Sequence, residues 1–145
     1  MRFSAVSACL ALVAAVGSAG VAAGTAEARP AGAASLYAPS AVVLSVGKGE
    51  DPATATMQRT VVLRCSPTPY GDHPDPASAC AELRAVQGDF TALTADSPGA
   101  NCTRIWDPVV VTADGVWEGR RVTFSRAFGN ACMLRGSDTH GVFAF

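Results

Sequence analysis

The sequence predicts an α+β fold: a five-stranded antiparallel sheet with one longer and one short helix against it, held by two disulfides. Three observations carry that expectation. Short β-forming runs alternate with turn signals from about residue 40 onward, a single well-punctuated helix lies among them, and four cysteines share the same region.

Residues 1–28 stand apart from that fold. Arg2 makes a basic start, Ala5 to Val16 is apolar, and Ala26-Glu27-Ala28 offers small residues at the minus-three and minus-one positions of a processing site. That is the pattern of a secretory signal peptide. A membrane span competes, since small apolar residues continue to Gly24, but they are mostly Ala and Gly and no basic stop-transfer cluster follows. Residues 29–35 are expected to form a disordered tail ahead of a domain over 36–145. The protein is therefore expected to be secreted and extracellular. Cys9 leaves with the signal peptide, and the even set Cys65, Cys80, Cys102 and Cys132 reads as two disulfides in an oxidising compartment. Zinc wants close cysteine pairs, whereas the spacings are 15, 22 and 30. Three connectivities remain open on sequence alone. Local pairing, Cys65 with Cys80 and Cys102 with Cys132, closes the shortest loops and is the one expected, each stabilising by roughly 3 to 4 kcal/mol in the chain-entropy model.

Ser40 to Val46 reads as a first strand with Val42, Leu44 and Val46 on one face, ended by the Gly47–Pro52 stretch. Gln58 to Arg64 alternates as a second, antiparallel to the first. Pro67, Pro69, Gly71, Pro74 and Pro76 then interrupt regular structure. A helix follows, with Asp75 as cap, Pro76 at its first position and Glu82 adding negative charge early. Cys80, Leu83, Val86 or Gln87, and Phe90 recur at helical spacing, so one face meets the sheet and Cys80 can reach Cys65; Gly88 stops the helix. Residues 91–101 read as a polar connector. Val109 to Thr112 is a third strand, Asp114-Gly115 a hairpin turn, and Arg121 to Phe128 a fourth strand with Val122, Phe124 and Phe128 inward. Gly129 to His140 is a loop with one helical turn around Ala131 to Leu134, and Val142 to Phe145 a fifth strand.

Composition excludes several functions. Eleven basic against twelve acidic groups, with no basic block, leave no footprint for nucleic acid, and there is no basic amphipathic helix for a membrane surface. No G-x-S-x-G occurs, and paired cysteines cannot be nucleophiles. Asp72-His73-Pro74-Asp75 reads as solvated turn residues rather than a metal or acid–base cluster, and His140 lies in a late polar loop. No enzyme, cofactor or metal is expected. Asn101-Cys102-Thr103 matches the N-glycosylation triplet, but a glycan there would crowd the neighbouring loop, so Asn101 is expected to be bare.

That loop, Cys102-Thr103-Arg104-Ile105-Trp106-Asp107-Pro108, is the focus of the chain. A cysteine pins its entry two residues before Arg104, and Pro108 fixes its exit and drives Asp107 to extended backbone. Thr103, Ile105 and Trp106 favour the extended shape that proteases bind as an added strand, and Arg104-Ile105 is a bond that a protease with an acidic specificity pocket cleaves. The plain alternative is a solvated connector.

The residues Leu36-Tyr37-Ala38-Pro39-Ser40-Ala41, Val46-Gly47-Lys48-Gly49, His73-Pro74, Ser78-Ala79-Cys80-Ala81, Asp107-Pro108-Val109, Asp114-Gly115-Val116-Trp117 and Val142-Phe143-Ala144-Phe145 resemble the Streptomyces subtilisin inhibitor family. The match spans nearly all of the chain beyond Leu36, in order with the cysteines. The resemblance implies local disulfide pairing, a five-stranded antiparallel sheet with two helices, a homodimer formed through the sheet, and standard-mechanism inhibition of subtilisin-like and trypsin-like serine proteases. It puts the reactive bond at Arg104-Ile105, with Asn101, Cys102, Thr103, Trp106 and Asp107 contacting the protease. Pro108, Asn130 and Cys132 become loop supports, Asn130 by hydrogen bonds to the carbonyls flanking the bond. Two departures stand out: Thr103 where relatives commonly carry Pro, and Arg104 where they carry Met, Lys or similar residues. The alternative is a secreted, disulfide-stabilised binding domain that inhibits no protease.

Overall fold

Five strands form one antiparallel sheet in the computed structural model, which describes residues 38–95, 101–137 and 141–145. The expected signal peptide and tail, residues Leu36 and Tyr37, and His140 lie outside the described residues. The strands are β1 (Ala41–Lys48), β2 (Thr56–Arg64), β3 (Tyr70–Gly71), β4 (Val109–Trp117) and β5 (Arg120–Phe128), in spatial order β3-β2-β1-β4-β5. The period of two sends Val42 and Leu44 of β1, Val61 and Leu63 of β2, and Val109, Val111 and Ala113 of β4 into one core. Helices α1 (Pro76–Ala85), α2 (Phe90–Leu93) and α3 (Ala131–Arg135) complete the elements, and buried residues of all three join that core. Among the described residues no helix is long and apolar enough to cross a membrane.

Local chemistry explains α1. The Asp75 carboxylate accepts the Ser78 N–H at 3.0 Å, Pro76 occupies the first turn, and Ala79, Cys80 and Leu83 are buried. The helix ends at Ala85, just short of the predicted stop at Gly88, through paired reversal bonds: Gly88 N–H to Leu83 C=O and Gln87 N–H to Arg84 C=O. Gln87, at φ 53°, holds the left-handed position there, and Phe90 instead opens α2, capped by Asp89. The disulfides are Cys65–Cys80 and Cys102–Cys132, the local pairing, with Cα atoms 5.5 and 5.7 Å apart.

Three expectations are corrected. Asp114-Gly115 is not a turn: both residues lie inside β4, paired with Thr123 and Val122. The turn is Glu118-Gly119, a two-residue hairpin with both φ values positive, 48° and 79°, matching the twist of the flanking strands. The Ser40 hydroxyl accepts the Glu118 N–H, and the Pro39 carbonyl accepts that of Gly119, so tertiary contacts offset the strain at Glu118. Gly115 is demanded by its neighbour strand, since a Cβ there would lie 2.3 Å from the Ala41 carbonyl oxygen and 2.8 Å from Val42 Cα. Gly115→Ala is therefore expected to destabilise the domain by about 3 kcal/mol or more, read as a lower midpoint in denaturant unfolding.

Val142 to Phe145 is not a strand; the fifth strand is the two-residue β3. The terminal segment turns into the core, with Val142 and Phe143 buried, and the Glu82 carboxylate accepts the N–H groups of Gly141 and Val142 where a strand partner would. His73, finally, is no solvated turn residue. It is 5% exposed, and its Nδ1 accepts the Asp75 N–H, which leaves Nε2–H to donate to the Val142 carbonyl at 3.2 Å. Its ring packs edge-on against Phe145, so it fastens the terminal segment to the start of α1.

Candidate functional site

The loop at residues 101–108 lies where β1 ends, β4 begins and β5 ends, and sheet register puts it there. Lys48 of β1 pairs with Val109 of β4, and Val109 pairs with Phe128 of β5. Both ladders continue one step beyond the strands. The Gly49 N–H donates to the Pro108 carbonyl at 3.0 Å, and the Asp107 N–H to the Gly129 carbonyl at 2.9 Å. The exit of the loop is thereby held from two sides by backbone bonds, with Pro108 half-buried between them.

Its entry is held by chemistry of another kind. Cys102 is tied to Cys132 in the first turn of α3. Asn130 caps α3, its Oδ1 accepting the Met133 N–H at 3.0 Å. That acceptor role turns Nδ2 toward the loop, where it donates to the Thr103 carbonyl at 2.9 Å and the Ile105 carbonyl at 3.0 Å. The amide of Asn130, a residue only 7% exposed, thus spans the two peptide units on either side of the Arg104–Ile105 peptide, and the cap determines which end of the amide faces them.

Thr103 to Asp107 are all exposed, in neither helix nor strand. Ile105 and Trp106 are 68% and 66% exposed, unusual for such large apolar side chains side by side. Arg104 makes no hydrogen bond or ion pair among the described residues. Asp107 pairs with Lys48, and the Trp106 Nε1–H donates to Glu50 Oε1 at 3.1 Å. The arrangement presents a free guanidinium and two apolar side chains on a backbone fixed at both ends. It provides no nucleophile–base pair, and His73 is some other part of the fold's framework.

Comparison with known proteins identifies the fold's relatives. The family model described as subtilisin inhibitor-like matches residues 38–130. The chain belongs to the subtilisin inhibitor-like family. It is 52% identical over 120 residues to Kexstatin-1 of Streptomyces platensis, covering 83% of this chain and 82% of that one. It is 54% identical over 123 residues to the trypsin inhibitor STI2 of Streptomyces longisporus, covering 84% of each. A solved structure, Streptomyces caespitosus sermetstatin in complex with Bacillus licheniformis subtilisin, matches with a TM-score of 0.67 at 40% identity, over 74% of this chain and 99% of that one. The family consists of protease inhibitors rather than enzymes.

Every predicted loop and support residue, from Asn101 to Pro108 with Asn130 and Cys132, falls in this one cluster. Lys48, Gly49, Glu50 and Gly129 also belong to it and were not foreseen. In the sequence Lys48 and Gly49 read as the end of the first strand and as part of the family resemblance, not as loop supports. Their role depends on strand order, since β1 must lie beside β4 before its end can touch Asp107 and Pro108.

Proposed function

We propose that the protein is a secreted, standard-mechanism inhibitor of serine proteases, both subtilisin-like and trypsin-like, with Arg104-Ile105 as its reactive bond. The observation that carries this reading is the Asn130 amide bridging the Thr103 and Ile105 carbonyls on either side of that bond. The names of the relatives, a trypsin inhibitor among them, and the subtilisin complex of sermetstatin support the choice of targets.

In the complex the extended loop lies in the protease cleft as an added strand, and Arg104 enters the specificity pocket. Where the pocket holds a carboxylate, the guanidinium forms a charge-assisted pair with it. Little conformational entropy is lost, because the loop already has its shape. If the bond is cut, Cys102–Cys132 and Asn130 hold the Arg104 side, while Asn130, the Gly129 and Gly49 backbone bonds and Pro108 hold the Ile105 side. The new amine stays beside the new carboxyl group, so resynthesis competes with release.

Titration of the purified protein against trypsin and subtilisin tests the reading. Stoichiometric loss of both activities, with slow appearance of a chain beginning at Ile105, is the expected result. Rapid clean cleavage after Arg104 without inhibition would mean a substrate loop on a binding domain.

Removal of a signal peptide over residues 1–28 and export complete the proposal, to be checked by mass spectrometry of the secreted chain. Homodimerisation through the sheet belongs to it too. The sheet face opposite the helices carries Val43, 41% exposed, beside the half-buried Val62, with Thr112 and Val116 near. Sedimentation equilibrium should give twice the chain mass; a monomer at all concentrations would sink the dimer.

A further inference from the structure

The side of the loop beyond the proposed bond holds an aromatic ring that is both displayed and fixed. Trp106 is 66% exposed, yet it is held at two ends. Its Nε1–H donates to Glu50 Oε1, on the turn after β1. Its far ring edge lies on Gly129, where a Cβ would come within 3.3 Å of Cζ3 and 3.5 Å of Cε3. A surface Trp without such ties samples several rotamers, and each must be given up on binding. Here the indole is oriented before any partner arrives.

We propose that Glu50 is a positioning residue: it presets the Trp106 ring as a specificity element two residues beyond the cut, favouring proteases whose subsite there takes a large flat ring. This inference rests on Arg104-Ile105 being the reactive bond. Glu50 and the neighbouring Asp51 are themselves exposed. A purely electrostatic contribution of Glu50 to protease binding is the rival, and it differs in one respect: it needs no indole N–H.

A double-mutant cycle on the full chain separates them. Inhibition constants against subtilisin are measured for the wild type, Glu50→Ala, Glu50→Gln, Trp106→Phe and the Glu50→Ala/Trp106→Phe double variant, with thermal midpoints alongside. Exposed polar pairs are weak, so Glu50→Ala should loosen binding about threefold to tenfold without moving the midpoint. Glu50→Gln keeps an acceptor oxygen and should retain most of the affinity. In the Trp106→Phe background, where the donor is gone, Glu50→Ala should cost nothing further. The Trp106 indole N–H resonance should also move in Glu50→Ala, while that of the buried Trp117 stays.

Equal losses in both backgrounds would assign Glu50 a charge role and overturn the proposal. So would unchanged inhibition constants across the Glu50 variants of an inhibiting protein. A wild-type chain that inhibits neither trypsin nor subtilisin sinks the functional reading itself, and the positioning role with it.

Discussion

Replacing Arg104 by Gly is expected to abolish inhibition of trypsin and to leave weakened but measurable inhibition of subtilisin. The side chain is exposed and has no partner among the described residues, so its loss should change the folded domain little. If Arg104-Ile105 is the reactive bond as proposed, its worth lies in the complex, where the guanidinium would be desolvated against the carboxylate of the trypsin pocket. Truncating such a central anchor costs several kcal/mol, which is roughly a thousandfold or more in the inhibition constant. A broad apolar pocket loses only the contact area of the side-chain stem, and the strand-like backbone bonds remain, so subtilisin inhibition should fall by far less. Arg104→Lys keeps the charge and should retain most of the trypsin inhibition. Were trypsin still bound stoichiometrically by Arg104→Gly, another residue would have to occupy its pocket, and the assignment of the bond would be wrong.

The parts of this fold legible in the sequence are those governed by local chemistry. Asp75 and Pro76 specify the start of α1 through one carboxylate and one locked φ, whatever surrounds them. The alternation of Val42 with Leu44, and of Val61 with Leu63, requires only that one face be covered. The misreadings arise where a distant neighbour decides. Asp114-Gly115 has the composition of a turn, yet its glycine exists because the Ala41 carbonyl passes 2.3 Å from where a Cβ would be. Val142 to Phe145 is apolar enough for a strand, and such a short run has no period that distinguishes a strand from a buried turn. The Glu82 carboxylate, on a different element, makes the difference by accepting its N–H groups.

The loop divides in the same way. Cys102 and Pro108 flank Arg104 within the chain, so the displayed segment could be recognised from spacing. Asn130 lies beyond two strands and follows from the sequence only once Cys132 is paired with Cys102. Lys48, Gly49 and Glu50 depend on β1 lying beside β4. The displayed segment is local and its clamps are not, which is why the segment was easier to read than the residues that hold it in place.

Asn130 offers the sharpest test of the clamp, because its side chain performs two separable tasks. The oxygen caps α3, and the nitrogen bridges the Thr103 and Ile105 carbonyls. Asn130→Ala removes both, whereas Asn130→Asp keeps the cap and loses both donors, turning a carboxylate toward two carbonyl oxygens. Two neutral hydrogen bonds contribute about 1 to 3 kcal/mol together, so the inhibition constant for either variant should rise about tenfold to a hundredfold. The loss should be sharper over time than at first contact. With Cys102–Cys132 intact, the loop still enters the cleft, but after the bond is cut nothing spans the two ends, and resynthesis loses to release. Both variants should therefore act as temporary inhibitors, with protease activity returning as the chain beginning at Ile105 accumulates. Both should also unfold more readily, Asn130→Ala by about 1 kcal/mol from the lost cap, and Asn130→Asp because its buried carboxylate faces two carbonyl oxygens with no donor between them. If Asn130→Asp stayed a permanent inhibitor, the disulfide and backbone bonds alone would suffice to hold the cut ends, and the amide would be a helix cap that only happens to lie beneath the loop.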